Sequence, residues 1–321
     1  MTLPTRSAAR LPFDVAAVCF GTSPLGSMPD TYGYEVSEAQ ARDAINAMFD
    51  LNPSFIDTSR NYGMGRSEER LGAVIRERGL PEHCVLATKL DRAWEDNRLD
   101  AARARQSVEE SLDALGLDSL HILHLHDPEY CRDLEEIAGP GGALEELFKM
   151  KEEGLVQAVG LAMGKLDLMT KLLPDWEFDA LVSHNRFTLL NREADQMFSD
   201  AHARGIAIFN AAPYCGGVLA RGSAKSTMIT YQEASDEDMA PVRAIEEICA
   251  KYDVPLGAAA LQFSMRDPRV TSTICGVSKP ERVAQTVDWA TYAIPQAAWD
   301  ALMALPYSSE DPEANREYKP C

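Results

Sequence analysis

The stretch Ser54–Gly72, "SFIDTSRNYGMGRSEERLG", decides the reading of the fold. A short apolar run ends on a carboxylate, Asp57, and Tyr62 follows five residues later. The glycines Gly63 and Gly65 then open a charged segment that carries Leu71, Val74 and Ile75 on one helical face and stops at Gly79. Taken singly, Asp57 reads as a helix cap or turn residue, and Tyr62 as an amphipathic rim residue. Taken together, a buried-looking strand, a terminal carboxylate and a nearby phenol pose the question of an active site.

The same unit recurs along the chain. Eight short apolar runs stand out: "AAVCFGTS", "SFIDTS", "CVLATKL", "SLHILHLHD", "VQAVGLAMG", "ALVSHNRF", "GIAIFNAAP" and "STICGVSKP". Amphipathic helical patterns follow them, such as "LDAARARQSVEESLDALG", closed by Gly116, and "NREADQMFSDAHARG". Strand–helix alternation with largely apolar strands predicts a parallel sheet covered by helices. Eight such units predict an α/β fold of the (β/α)8 TIM-barrel type, with residues 1–321 forming one domain. A doubly wound open sheet is the rival, but no strand carries a G-x-G-x-x-G turn. The segment at about 214–240 is expected to be a long loop over the barrel mouth. The end, "YSSEDPEANREYKPC", is a polar tail that either drapes over the mouth or frays.

Composition narrows the functional classes. The 321 residues carry a net charge of −19, which argues against nucleic acid or an anionic membrane surface as partner. The seven cysteines are scattered, with no C-x-x-C pair, as reduced thiols in cores are. The start lacks a secretory apolar segment and no run reaches membrane-span length, so the expectation is a cytoplasmic protein.

In such a barrel the chemistry lies at the C-terminal ends of the strands. Those positions are Asp57, Lys89, His126, Met163, His184, Asn185, Asn210 and the run Gly276 to Lys279. Asp57, Lys89 and His126 end three consecutive strands, and Tyr62 begins the loop after the first of them. A phenol titrates near pH 10 unless a cation favours the phenolate. Lys89 would supply that cation, Asp57 would keep it charged and oriented, and His126 would direct a substrate oxygen. The run "HILHLHD" also invites a metal reading, but alternation sends His121 to the face opposite His124 and His126, and no metal is expected.

At these residues the chain resembles the aldo-keto reductases. The resemblance rests on "FIDTSRNYGMGRSEERLG", "ATKL", "LHLHDPE" and "GVSKPERVAQTV", and runs from "CFGTSPLG" to the eighth unit. It implies a catalytic set of Tyr62, Asp57, Lys89 and His126, with Tyr62 as general acid/base, and hydride transfer with NAD or NADP. It further implies cofactor contacts from Gly21, Thr22, Asp57, His184, Asn185, Asn210, Gly217, Leu219, Gly276, Val277, Ser278, Lys279, Arg282 and Gln285. Gly276 and Thr286 replace a Lys and an Asn common in the family, which tips the preference slightly to NAD. "LAMG" puts Ala162 and Met163 where Ser-Asn usually holds the carboxamide, and Ala211 replaces a stacking aromatic.

"HDPE", "SHNRFTLLNRE" and "NAAPYCGGVLARG" look most like the bacterial L-fucose and D-threo-aldose 1-dehydrogenase branch, which oxidises an anomeric carbon to a lactone. Trp94, Arg186 and Tyr214, with His126, are the candidate substrate contacts. The alternatives are a pyridoxal dehydrogenase, a carbonyl reductase of small aldehydes or ketones, and a non-catalytic barrel that senses the cofactor. The partner expected is a small sugar or aldehyde, bound by a monomer or small homo-oligomer.

Overall fold

The computed structural model describes residues 3–315. Its centre is a closed barrel of eight parallel strands, and each of the eight apolar runs supplies one. These are β1 (Val18–Gly21), β2 (Ser54–Asp57), β3 (Cys84–Leu90), β4 (Leu120–His126), β5 (Val156–Ala162), β6 (Ala180–His184), β7 (Ala207–Ala211) and β8 (Val270–Gly276). The sheet runs in chain order and closes where β8 pairs with β1, Gly276 opposite Gly21. The (β/α)8 expectation therefore holds, and closure removes every open edge.

Ten helices of seven residues or more lie among the described residues: α1 (Glu38–Phe49), α2 (Arg66–Arg78), α3 (Ala101–Leu115), α4 (Ala143–Glu152), α5 (Leu166–Leu172), α6 (Asp195–Ala203), α7 (Ala240–Lys251), α8 (Leu256–Met265), α9 (Pro280–Ala290) and α10 (Gln296–Met303). Two apolar clusters follow from strand alternation. Cys19, Phe55, Ala87, Ile122, Ala158, Val182, Phe209 and Ile274 fill the barrel interior. Their outward neighbours, among them Phe20, Ile56, Leu86 and Leu123, pack against the helices. The short antiparallel pair Thr5–Arg6 and Val15–Ala16 closes the end opposite the strand C-termini, adding Leu11, Val15 and Ala16 to the interior cluster.

Local chemistry sets the helix limits. Asp100 caps α3, its carboxylate accepting from the Arg103 N–H at 2.8 Å, and Gly116 ends the helix at φ 71°. α2 buries Leu71, Val74 and Ile75, as the spacing predicts. At Gly72 a Cβ would stand 1.9 Å from the Ala114 carbonyl oxygen, so only glycine lets α2 and α3 approach this closely.

Two elements differ from the sequence pattern. The helix predicted from Asn191 begins instead at Asp195, because residues 191–192 pair with the chain end. Ser308 accepts from the Arg192 N–H at 2.8 Å, and the Asn191 amide donates to the Glu310 carbonyl at 2.8 Å. The tail thus drapes through residue 315 at the mouth end of β6; residues 316–321 lie outside the described chain. The long loop is also more ordered than expected, with a helical turn at Val218–Arg221 and a hairpin, Met228–Ile229 with Gln232–Glu233. Gln232 ties that hairpin to the tail through the Pro312 carbonyl at 2.8 Å.

Glu68 on α2 is fully buried, taking a 2.6 Å hydrogen bond from Thr88 on β3. Burial pushes its carboxyl up to about 7. A carboxyl raised in the folded state binds more protons than the unfolded chain between its two pKa values, so stability falls as pH rises through that window and levels off above it. Glu68→Gln keeps the acceptor and removes the charge. Urea midpoints at pH 5 and pH 8 should show the variant gaining up to about 3 kcal/mol on wild type across that interval; parallel curves for the two proteins would refute this.

Candidate active site

The C-terminal mouth of the barrel gathers four of the predicted residues. Asp57 ends β2 and Lys89 is the penultimate residue of β3; both side chains are almost completely buried. Lys89 Nζ donates to Asp57 Oδ1 at 2.7 Å and to the Thr58 carbonyl at 2.7 Å. A lysine this deep is tolerated because charge and hydrogen bonds both compensate its lost hydration. Its ammonium sits 4.6 Å from the centre of the Tyr62 ring. Tyr62 in turn meets the His126 ring edge-on, centroids 6.0 Å apart.

The Tyr62 phenol does not behave as the sequence suggests. Burial first, then the negative field of Asp57 and the more distant acids, raise its pKa well above 10. Lys89 spends its positive charge on Asp57 and a carbonyl, and lies against the ring. The expected lowering by Lys89 is therefore reversed in the chain alone, and Tyr62 rests as a proton donor.

His126 is held by a residue that the sequence reading missed. Asp91 Oδ1 lies 2.5 Å from His126 Nδ1, and Asp91 Oδ2 accepts from Ser59 Oγ at 2.7 Å and the Asn61 N–H at 2.9 Å. On the other ring edge, Asp127 Oδ2 is 3.6 Å from Nε2. Burial alone would lower the imidazole pKa, but Asp127 and Asp91 overcome it and raise it. The signal was present: Asp91 stands two residues beyond Lys89 and shares its inward parity. His124 lies deeper, fully buried against Phe209, where desolvation keeps it neutral. Among the described residues no group of His, Cys, Asp and Glu is arranged to hold a metal ion. Nor is any described helix long and apolar enough to cross a membrane.

The remaining predicted residues divide. Gly276, Ser278, Lys279, Arg282 and Gln285 lie together where β8 runs into α9, with Pro280 the first residue of that helix. Gly276 and Lys279 are exposed, Val277 is buried, Gln40 donates to the Ser278 carbonyl at 2.7 Å, and Arg282 hydrogen-bonds Gln285. Gly21 and Thr22 lie at the end of β1, with Thr22 tied to the Asp57 carbonyl at 3.1 Å and to Ser67 at 2.7 Å. His184 ends β6, partly exposed, its Nδ1 2.9 Å from Glu313. Next to it Asn185 is buried at φ 61°, and its side-chain oxygen has no hydrogen-bond partner among the described residues. Gly217 sits at φ 100° before the helical turn.

Four of the predicted residues have side chains placed away from the open mouth. Asn210 points away from the mouth, donating to the Phe187 carbonyl at 2.8 Å and to Ser264 of α8 at 2.7 Å, because its neighbour Phe209 takes the inward position. Arg186 meets no open space: its guanidinium is 2% exposed and engages Glu313 at 2.8 Å, Asp311 at 2.5 Å and Glu193 at 3.3 Å. Tyr214 packs edge-on against Trp289 of α9, ring centroids 5.8 Å apart, in the outer layer. Leu219 has its side chain in the outer core. Trp94 stands 40% exposed in the loop after β3.

Comparison with known proteins agrees with the barrel fold. A model of the Aldo/keto reductase family matches residues 17–305, and the chain belongs to that family. It is 30% identical over 327 residues to the D-threo-aldose 1-dehydrogenase of a Pseudomonas species, covering 94% of this chain and 96% of the relative. A pyridoxal 4-dehydrogenase of Microbacterium luteolum is 27% identical, covering 92% and 96%. The L-galactose dehydrogenase of Arabidopsis thaliana is 30% identical, covering 85% and 83%. Among solved structures, the holo form of an aldo-keto reductase from Bacillus halodurans superposes with a TM-score of 0.79 at 18% identity, covering 98% of this chain and 100% of that one.

The Asp57–Lys89 pair makes its own prediction. Lys89→Met leaves a buried carboxylate without its cation and should cost about 3–5 kcal/mol in chemical denaturation. Adding Asp57→Asn should recover part of that loss, since the orphaned charge is gone. A single variant as stable as wild type would show that the pair carries no such energy.

Proposed function

We propose that this member of the aldo/keto reductase family oxidises the anomeric carbon of an aldose to the lactone, with NAD(P)⁺ as hydride acceptor. The observation that carries the reading is the cluster at the mouth: a proton donor, Tyr62, and an imidazole, His126, face each other beside the buried Asp57–Lys89 pair. The aldose assignment draws on two relatives named for aldose oxidation. It also draws on Asp127, whose carboxylate beside His126 Nε2 suits a substrate with several hydroxyl donors.

The residues at the mouth suit a nicotinamide dinucleotide. Asn185 offers a buried, unpaired acceptor for a carboxamide N–H, with His184 next to it. At the other end, the N-terminus of α9 with Ser278, Lys279 and Arg282 suits a phosphate. Arg282 is already engaged by Gln285, which favours NAD over NADP. The bound nucleotide supplies a hydride acceptor and, in its oxidised form, a positive charge. Within the chain, His126 orients the reacting oxygen, and Tyr62 takes its proton during oxidation or returns it during reduction. Lys89 and Asp57 fix the floor under the ring.

A second reading, oxidation of pyridoxal, is supported by the relative named for it. An absorbance assay of NADH and NADPH formation with L-fucose, other aldoses and pyridoxal separates the two, and simple aldehydes test the reductase alternative. Rapid reduction of aldehydes without turnover of any aldose would overturn the leading reading.

Two outcomes are expected of Tyr62. Tyr62→Phe should lower kcat by at least about a hundredfold while leaving cofactor affinity within twofold of wild type, the size of a lost general acid/base. Near-normal turnover would remove Tyr62 from the chemistry. Because its pKa is raised, the base form is scarce at neutrality, so kcat for oxidation should climb as pH rises above 7 while kcat for reduction does not. A flat oxidation profile up to pH 10 would contradict this.

A further inference from the structure

Asp91 is unusually well fixed for a residue in a loop. It follows directly on β3 and is 1% exposed. Its N–H donates to Ser107 Oγ of α3 at 2.9 Å, and its carbonyl accepts from Arg103 Nε at 3.0 Å. Ser59 Oγ and the Asn61 N–H hold carboxylate oxygen Oδ2, which leaves Oδ1 aimed at His126 Nδ1 at 2.5 Å. The backbone and one oxygen are therefore locked, and the other oxygen has a single direction to point.

A carboxylate can only accept a hydrogen bond, so the nitrogen facing it has to carry a proton. That proton sits on Nδ1 whether the ring is neutral or charged. Nε2 is then the nitrogen that gains and loses a proton, and it is the one beside Asp127.

We propose that Asp91 is a positioning residue for the reaction: it fixes the Nδ1–H tautomer and the ring plane of His126, so that Nε2 is the atom presented to the reacting oxygen. The assignment rests on the oxidoreductase reading above and deepens it. It gives the segment between Asp57 and Tyr62 a second task, since Ser59 and Asn61 within it are the groups that orient Asp91.

The charges facing His126 come from several elements. Asp91 after β3 and Asp127 after β4 favour the imidazolium; Lys89 and burial oppose it. The Tyr62 ring stands perpendicular to the imidazole, and His124 lies one inward position deeper on β4. The balance falls toward the charged ring, with its pKa above the ordinary 6.5, in agreement with the geometry. Asp91 moves the opposite way, its carboxyl held below the usual range by His126, Ser59 and the Asn61 N–H despite its burial.

Two measurements test the proposal. In the wild-type chain without substrate, nitrogen-15 NMR titration of His126 should find Nδ1 protonated at every pH and Nε2 titrating above 6.5. A neutral form with its proton on Nε2, or a pKa below 6.5, overturns the proposal. The second is Asp91→Asn, which keeps the shape and removes the charge. Its His126 pKa should fall, the acid limb of the kcat/KM profile should shift to lower pH, and kcat should drop at least about 10-fold, the lower bound seen when the partner orienting a metal-bound histidine is lost. Cofactor Kd should stay within twofold, and Asp91→Glu should restore part of kcat.

A lower Tm with unchanged kcat and pH profile would reduce Asp91 to a structural brace and overturn the proposal. If wild type turns over no tested substrate, only the oxidoreductase reading fails, and the NMR titration still decides the role of Asp91.

Discussion

A closed parallel barrel admits only every second residue of each strand to its interior, and the functional layout follows from that constraint. On β3 the inward positions include Ala87 and Lys89, and the same parity continues to Asp91 just past the strand. On β4 they are Ile122, His124 and His126. Each strand thus rises from an apolar layer through a polar one to a reactive one, along a single line of side chains. The apolar layer, with Phe55 against Phe209 at 5.1 Å, is what makes the upper charges expensive and therefore paired.

The pairing is asymmetric. Asp57 takes Lys89, and Asp91 takes His126, so two carboxylates are matched with two groups able to carry positive charge. Asp127 adds a third carboxylate at the rim. The phenol of Tyr62 lies among these groups, and burial, with the field of Asp57 after it, raises its pKa. A site that holds its tyrosine protonated at rest is poised to give a proton.

Much of this was legible in the sequence because it depends on local pattern. The eight apolar runs mapped one to one onto the barrel strands, since a strand buried on both faces has to be continuously apolar. Asp57, Lys89 and His126 could be found at the ends of those runs. Parity was the harder part. Asn210 looked like a strand-end residue but faces outward behind Phe209, whereas Asp91, just outside its run, faces inward. Reading the strand ends by their distance from the loop misplaces both; counting in twos from an interior residue places both.

What no local pattern could reveal is contact across great sequence separation. Arg186 sits beside His184 in "SHNRF" and looks available to a ligand. Its partners Asp311 and Glu313 come from the tail, the latter 127 residues away in the chain. The main chain reinforces the contact, with the Ser308 N–H donating to the Leu190 carbonyl at 2.9 Å. Three carboxylates then surround one guanidinium, and burial pushes that of Glu193 up to about 7 despite the nearby Arg186. Glu313 also reaches His184 Nδ1, so the imidazole beside the unpaired Asn185 oxygen takes its orientation from the chain end. The tail is in this sense a wall of the mouth: it engages Arg186 through Asp311 and Glu313 and leaves His184, with Asn185 just past it, as polar groups at the end of β6.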